Sequence, residues 1–305
     1  MSIFTTPWVA AAAARLMQGA TGAAARTAAK KTGARLPEFV GRTETIHIPT
    51  SVGLASATVY RPEPSNEVPA VHINLHGGGY VLAHTSGDDP ACRILAAVSG
   101  SVVINVDYVV APQHPFPEPP QQVYEVVEWV AAHGEERGWD GSRLTIGGQS
   151  AGAGLAAAAA RLSWEKKGPT IALQVLHYPP LDLSVPARTK HSPLAKPMLR
   201  PWMGDVFDAA YVPDTAMRSD RLASPAGVGD TVDLTGIAPA YVVAAGNDIL
   251  RDEARRYADR LHEVGALAEY REVAGADHGY DFGDDALARE NYTLIAERIK
   301  DAVAR

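Results

Sequence analysis

Between residues 43 and 62 the chain twice alternates apolar with polar positions, in TETIHIPT and in LASATVYRP. Such alternation marks a strand with one buried face. The Val52–Gly53 pair between the runs predicts a hairpin turn. AVHINLH continues the strand pattern, and a helix is predicted over Asp89–Ser99. SVVINVDY is nearly continuous in apolar residues, as a strand buried on both faces requires. The proline-rich APQHPFPEPP is read as a non-helical link, since proline lacks the N–H a helix interior uses. A helix is predicted from about Gln121 to Arg137. It is followed by the strand RLTIGG, the helix AGAGLAAAAARLSWEKK and the strand IALQVLHYP.

Residues 182–235 break this rhythm with many prolines and one aromatic, helix-like piece, RPWMGDVFDAAYV. They are read as an insertion over the core. The alternation then resumes with the strand AYVVAAGN, the helix DEARRYADRLHEVG, the strand LAEYREVAG and a last helix near Asp285–Val303. Eight strands mostly separated by helices predict an α/β fold with a mainly parallel sheet and helices on both faces. In such sheets ligands sit at the carboxyl ends of the strands, so the strand-to-helix loops are where chemistry is expected.

Residues 1–42 read as an alanine-rich helical segment with basic residues Arg15, Arg26, Lys30, Lys31 and Arg35. A mobile basic tail and a membrane-surface helix are the alternatives; packing of the segment on the domain is favoured, because Phe4, Trp8, Leu16 and Met17 call for burial. Its run VAAAAARLM has no basic residue before it and is interrupted by Arg15, unlike a secretory signal. It is also too short to span a bilayer.

Composition narrows the function classes. The 305 residues are 46% hydrophobic and 21% charged, with a formal net charge of -7. An acidic chain is a poor nucleic-acid binder, because phosphate contacts need a basic surface. The single cysteine, Cys92, excludes an internal disulfide and a cysteine metal cluster, and suits a cytoplasmic location.

The loop after RLTI reads GGQSAG, so Gly148, Ser150 and Gly152 form G-x-S-x-G. The pattern alone is weak, and an ordinary glycine-rich turn is the bland reading. Its place between a short apolar strand and an alanine-rich helix is the context a nucleophile elbow requires. A serine hydroxyl needs a base beside it. Of ten histidines, His278 in GADHGY follows the last strand in a turn-like loop; His76, His114 and His262 are placed less well for reaching a serine at the sheet top. The base in turn needs an acid to hold its tautomer. Asp248, at the end of the strand before the last, is favoured over Asp252, which has an ordinary role at a helix N-terminus. The stretch HGGG, residues 76–79, needs its own explanation. Gly77, Gly78 and Gly79 leave backbone N–H groups uncovered, and with the N–H of Ala151 they suit an oxyanion. A phosphate loop would instead continue into Gly-Lys-Ser/Thr, or open a helix as G-x-G-x-x-G; Tyr80, Val81 and Leu82 follow here.

Together HGGGY, the VDY…AP-x-HPFP stretch at Asp107–Pro117, GQSAGAGLA, YPPLD, DILRDE and DHGYDF resemble the hormone-sensitive-lipase-like branch of serine esterases, bacterial family IV, in the α/β-hydrolase superfamily. The resemblance covers roughly residues 68–283. It implies an α/β-hydrolase fold with Ser150 as nucleophile, Asp248 as acid and His278 as base. It implies oxyanion donors from Gly77, Gly78 and Ala151. It also implies a cap built from residues 1–42 and the insertion at about 182–235, on a catalytic domain of residues 43–305. Short-chain acyl esters are the implied substrates, with no cofactor and no metal. Three positions lose a charge usual in the family pattern: Gln149 stands where an acid is usual, Val109 for Arg and Gln113 for Glu. Ala153–Gly154 replaces the usual Gly-Asn. The lost charges suggest a missing ion-pair network near the site.

Candidate pocket residues are Tyr80, Trp202, Met203, Phe207, Tyr211 and Phe282, with core or cap packing as the bland reading of each. The cap has few contiguous apolar residues, which favours small-molecule esters over emulsified fat. Neither nucleic acid nor stable membrane insertion is expected, and homo-oligomerisation stays open. Two other readings use the same residues: a small-molecule receptor that has lost the chemistry, and an amidase or acyltransferase with the same triad.

Overall fold

The computed structural model describes residues 2–32, 35–39, 41–83 and 85–304. The eight strands are β1 (Arg42–Pro49), β2 (Leu54–Arg61), β3 (Ala70–Leu75), β4 (Val102–Asp107), β5 (Asp140–Gln149), β6 (Ile171–His177), β7 (Ala240–Ala245) and β8 (Leu267–Val273). They form one sheet in the order β1-β2-β4-β3-β5-β6-β7-β8. The β1–β2 and β2–β4 pairs are antiparallel and all others parallel. The alternating sequences lie in β1 and β2 at one edge. The inner strands β3 and β7 are buried along their whole length, and the nearly continuous apolar β4 over all but its last residue, as two-sided covering demands.

Helices α2 (Asp89–Ser99) and α8 (Asp285–Val303) cover one face with Cys92, Ile94, Tyr292 and Ile299 in the core. On the other face lie α3 (Glu118–Ala132), α5 (Ala151–Lys166) and α7 (Arg251–Glu263), with a short α4 (Gly134–Arg137) after α3. The expected helix from Gln121 to Arg137 is thus two helices, and the first begins earlier. Glu118, Pro119 and Pro120 make the first turn of α3, inside the stretch read as non-helical. First-turn N–H groups have no partner within a helix, so proline loses nothing there.

The remaining helices form a layer over the carboxyl ends of the strands. Helix α1 (Pro7–Thr32) packs on α6 (Pro201–Tyr211), the helix inside the 182–235 insertion. Ala10 and Ala14 are fully buried, with Phe4, Ala13 and Met17 partly buried beside them. Trp8 and Leu16, expected to be buried, are each 76% exposed. They lie on the opposite side of a helix whose buried stripe runs through positions 10, 14 and 17. The side chains of Arg26, Lys30 and Lys31 lie outside the described residues; Arg35 bonds Asp285 and the Asp281 carbonyl.

Candidate active site

β5 lies between β3 and β6 and ends at Gln149, so Ser150 stands at the carboxyl edge of the sheet between strand and helix. Its backbone has φ 53° and ψ -125°, a strained conformation for a residue with a Cβ. Surrounding bonds hold it there. The Ser150 N–H donates to the His177 carbonyl at 2.9 Å, and its own carbonyl accepts from Ala153 at 2.9 Å and Gly154 at 3.2 Å. The two flanking glycines are dictated by close approach. A Cβ at Gly148 would lie 2.3 Å from the Leu75 carbonyl oxygen, and one at Gly152 only 2.0 Å from it. Any side chain there would push the elbow off the end of β3.

Three side chains from separate loops meet at this turn. The Ser150 hydroxyl lies 2.9 Å from His278 Nε2. His278 Nδ1 lies 2.6 Å from Asp248 Oδ2, and Asp248 Oδ1 accepts from the Leu250 N–H. A carboxylate has no proton to give, so Nδ1 carries the hydrogen and Nε2 is left to accept. Both His278 and Asp248 are buried. Burial alone would lower the His278 imidazole; the neighbouring Asp248 carboxylate, with Asp281 and Asp277, outweighs it and holds the group above its ordinary value. Asp252, the alternative acid, pairs with Arg251 at the surface. His76 is buried against Tyr108 with its Nδ1 at the Gly77 carbonyl, and His114 bonds Glu118.

The glycine loop follows β3 directly. A Cβ on Gly77 would sit 3.5 Å from Ser150 Cβ, so this backbone borders the hydroxyl. The Gly78 carbonyl closes the loop by accepting from Val81 at 3.1 Å and Leu82 at 2.9 Å. Among the described residues no group accepts from the N–H of Gly77 or Gly78. Ala151 is the first residue of α5, where an N–H has no helical partner. Gly79 has φ 61°, and a Cβ on it would enter the Phe207 ring. Helix α6 therefore rests directly on the loop.

A cavity of about 270 Å³ opens in front of Ser150. Tyr80, Met203, Phe207 and Phe282 line it. Trp202 and Tyr211 do not, which corrects two of the six expected lining residues. α6 turns Met203, Gly204, Phe207 and Asp208 toward the cavity, one helical face; Trp202 falls on the outer side, 46% exposed and near Phe4. Tyr211 is buried behind the lining, stacked on Tyr80 at 3.9 Å. Asp88, Tyr178, Lys190, Met198, Leu199 and Asp208 also line the cavity and carried no signal as isolated residues. The period of α6 is the one clue that points to Asp208.

The three departures have structural partners. Gln149 donates to Asp88 and accepts from the Tyr178 hydroxyl, which also lies 2.8 Å from Asp281. Asp88 is pushed up to about 7 by burial, against the pull of His76 and the bonds from Gln149 and Asn74. A hydrogen-bonded chain through a neutral amide thus occupies the place where an ion-pair network was missed. Gln113 bonds Gln18 of α1, and the Val109 N–H donates to Gln122.

Residues 72–282 match the family model described as alpha/beta hydrolase fold. The chain belongs to this α/β-hydrolase family. Its relatives agree. It is 31% identical over 249 residues to carboxylesterase NlhH of Mycobacterium tuberculosis, covering 81% of this chain and 75% of that one. It is 30% identical over 225 residues to an ethyl acetate hydrolase of Pseudomonas putida, covering 73% and 70%. A hyperthermophilic esterase from the archaeon Pyrobaculum calidifontis superposes with a TM-score of 0.85 at 31% identity, covering 95% of this chain and 92% of that one. Within the α/β-hydrolases the chain is a member of the hormone-sensitive-lipase-like esterase branch. No described helix is long and apolar enough to cross a membrane.

Proposed function

We propose that this chain, a carboxylic ester hydrolase by family and relatives, hydrolyses short-chain acyl esters through an acyl-enzyme formed on Ser150. The observation that carries the reading is the unbroken contact chain Asp248–His278–Ser150, at 2.6 and 2.9 Å. His278 Nε2 takes the Ser150 proton as Oγ attacks the carbonyl carbon. The N–H groups of Gly77, Gly78 and Ala151 receive the oxyanion; removing one such donor typically costs about 10²–10³ in rate. Collapse breaks the bond to the alcohol oxygen, which leaves with the proton from His278. Water then gives a proton to the same nitrogen, attacks the acyl carbon and releases the acid, returning the proton to Ser150. Asp248 stays ionised and fixes the tautomer throughout. The cavity volume of about 270 Å³ favours small esters over long acyl chains.

Ser150→Ala should fold and lose turnover of p-nitrophenyl acetate by about 10⁵–10⁶-fold. The wild-type enzyme should be labelled by a fluorophosphonate, and the variant should not. Undiminished turnover in the variant removes Ser150 from the mechanism. A panel of p-nitrophenyl esters should show kcat/KM falling beyond short acyl lengths; a rising series would contradict the substrate class.

A further inference from the structure

The cavity before Ser150 is apolar along Leu183, Leu199, Met203, Phe207 and Ile249. Among the described residues its charged side chains away from the triad have hydrogen-bond or ion-pair partners, with one exception. Asp88 accepts from Gln149 and Asn74. Lys190 donates to the Asp182 carbonyl at 2.8 Å and pairs with Glu253 at 2.5 Å. Asp208 lines the same cavity and is 8% exposed. Among the described residues its carboxylate accepts no hydrogen bond and forms no ion pair within 4 Å. Burial pushes it up to about 7, against the pull of Lys190 and Arg218 from farther off. A buried carboxyl without a partner is unfavourable, and a ligand that supplies a donor relieves it.

We propose that Asp208 is a specificity-determining residue that receives a hydroxyl group carried on the acyl arm of the ester. The inference rests on the ester hydrolysis set out above. The donor is uncharged because the charges around Asp208 already balance, Lys190 and Arg218 against Glu253 and Asp205, so nothing there calls for a further cation. It sits on the acyl arm because the leaving alcohol must reach His278. Packing places the two groups at different walls of the cavity. Phe207, next in sequence to Asp208, lies on Gly79 of the glycine loop; Met198 and Phe282 crowd Gly279 beside His278.

The test uses matched esters in which a methyl group replaces the hydroxyl. In the acyl arm these are p-nitrophenyl 3-hydroxybutanoate against 3-methylbutanoate, and 6-hydroxyhexanoate against heptanoate. In the alcohol arm they are 3-hydroxypropyl against butyl acetate. The full-length enzyme is compared with Asp208→Asn and Asp208→Leu. For at least one acyl pair the hydroxyl-to-methyl ratio of kcat/KM should be about tenfold or more higher in the wild type than in Asp208→Leu. Asp208→Asn, which keeps an acceptor oxygen, should fall between them, and the alcohol pair should keep one ratio in all three proteins. Each ratio compares two substrates on one preparation, so a loss of folded protein cancels. Equal acyl ratios in wild type and Asp208→Leu, or a change confined to the alcohol pair, overturn the proposal while leaving ester hydrolysis intact. Failure of the wild type to hydrolyse any of the six esters would overturn the hydrolysis reading as well.

Discussion

His278 and His177 are both buried, and both touch the ring of Tyr178, at centroid distances of 4.7 and 4.0 Å. They titrate in opposite directions. Burial takes His177 down to about 4, with Asp281 pulling it up and His278 pushing it down. Its Nε2 meets a neutral partner, the Tyr280 hydroxyl, at 2.8 Å. His278 feels the same burial and the same Asp281, yet ends above its ordinary value because Asp248 touches it directly. A carboxylate in contact outweighs desolvation; one farther off does not. The pair thus separates a histidine fit for proton transfer near neutrality from one held as a neutral structural ring.

The sharpest way to break the comparison is to remove each ring in turn. His278→Ala should lower kcat on p-nitrophenyl acetate by about 10⁶-fold, because the serine loses its base. His177→Gln keeps a polar side chain near Tyr280 and should cost less than about tenfold, through packing alone. Equal losses in the two variants, measured on folded protein, would mean that His177 shares the chemistry.

A smaller effect tests why they differ. Asp248→Asn should lower kcat by about 10⁴-fold, since an amide no longer selects the tautomer with Nε2 free. The pH profile carries the sign. The base must be neutral, so wild-type kcat/KM should fall in acid with an inflection above the ordinary histidine value of 6.5. Without that carboxylate only Asp281 and Asp277 oppose burial, and the inflection of the residual activity should move to lower pH than in the wild type. An inflection that stays in place would assign the acid limb to another group.

Much of this arrangement is legible in the chain, because it depends on local rules. The elbow is written in Gly148 and Gly152, whose missing Cβ atoms make room for the Leu75 carbonyl. His278 and Asp248 follow the last two strands, and parallel order brings those strand ends to one edge. What escaped depends on rotation about helix axes and on distant contacts. Trp202 and Tyr211 looked like pocket residues by type, yet the face α6 presents is set by its packing against α1 and the glycine loop. Trp8 and Leu16 fall on the exposed side of α1 for the same reason, since the packing of α1 on α6 sets which face is buried. The chain Asp88–Gln149–Tyr178–Asp281 joins four separate segments, so no local pattern announces it.

The smallest effect concerns stability. His177 has a folded pKa of about 4 against 6.5 for an ordinary imidazole, so between these values the unfolded chain binds the extra proton. Stability from this group is therefore present above pH 6.5 and lost as pH falls toward 4. From pH 7 to pH 5 the loss is about 2 kcal/mol. The wild-type slope alone does not isolate it. Asp88, raised to about 7, destabilises the fold when ionised, and its protonation over the same window acts in the opposite direction. The difference between wild type and His177→Gln cancels that contribution. Urea unfolding at the two pH values should show the wild type losing about 2 kcal/mol more than the variant. If both lose the same amount, the His177 ring is not held neutral by the fold, and direct contact with Asp248 is no longer what sets the two histidines apart.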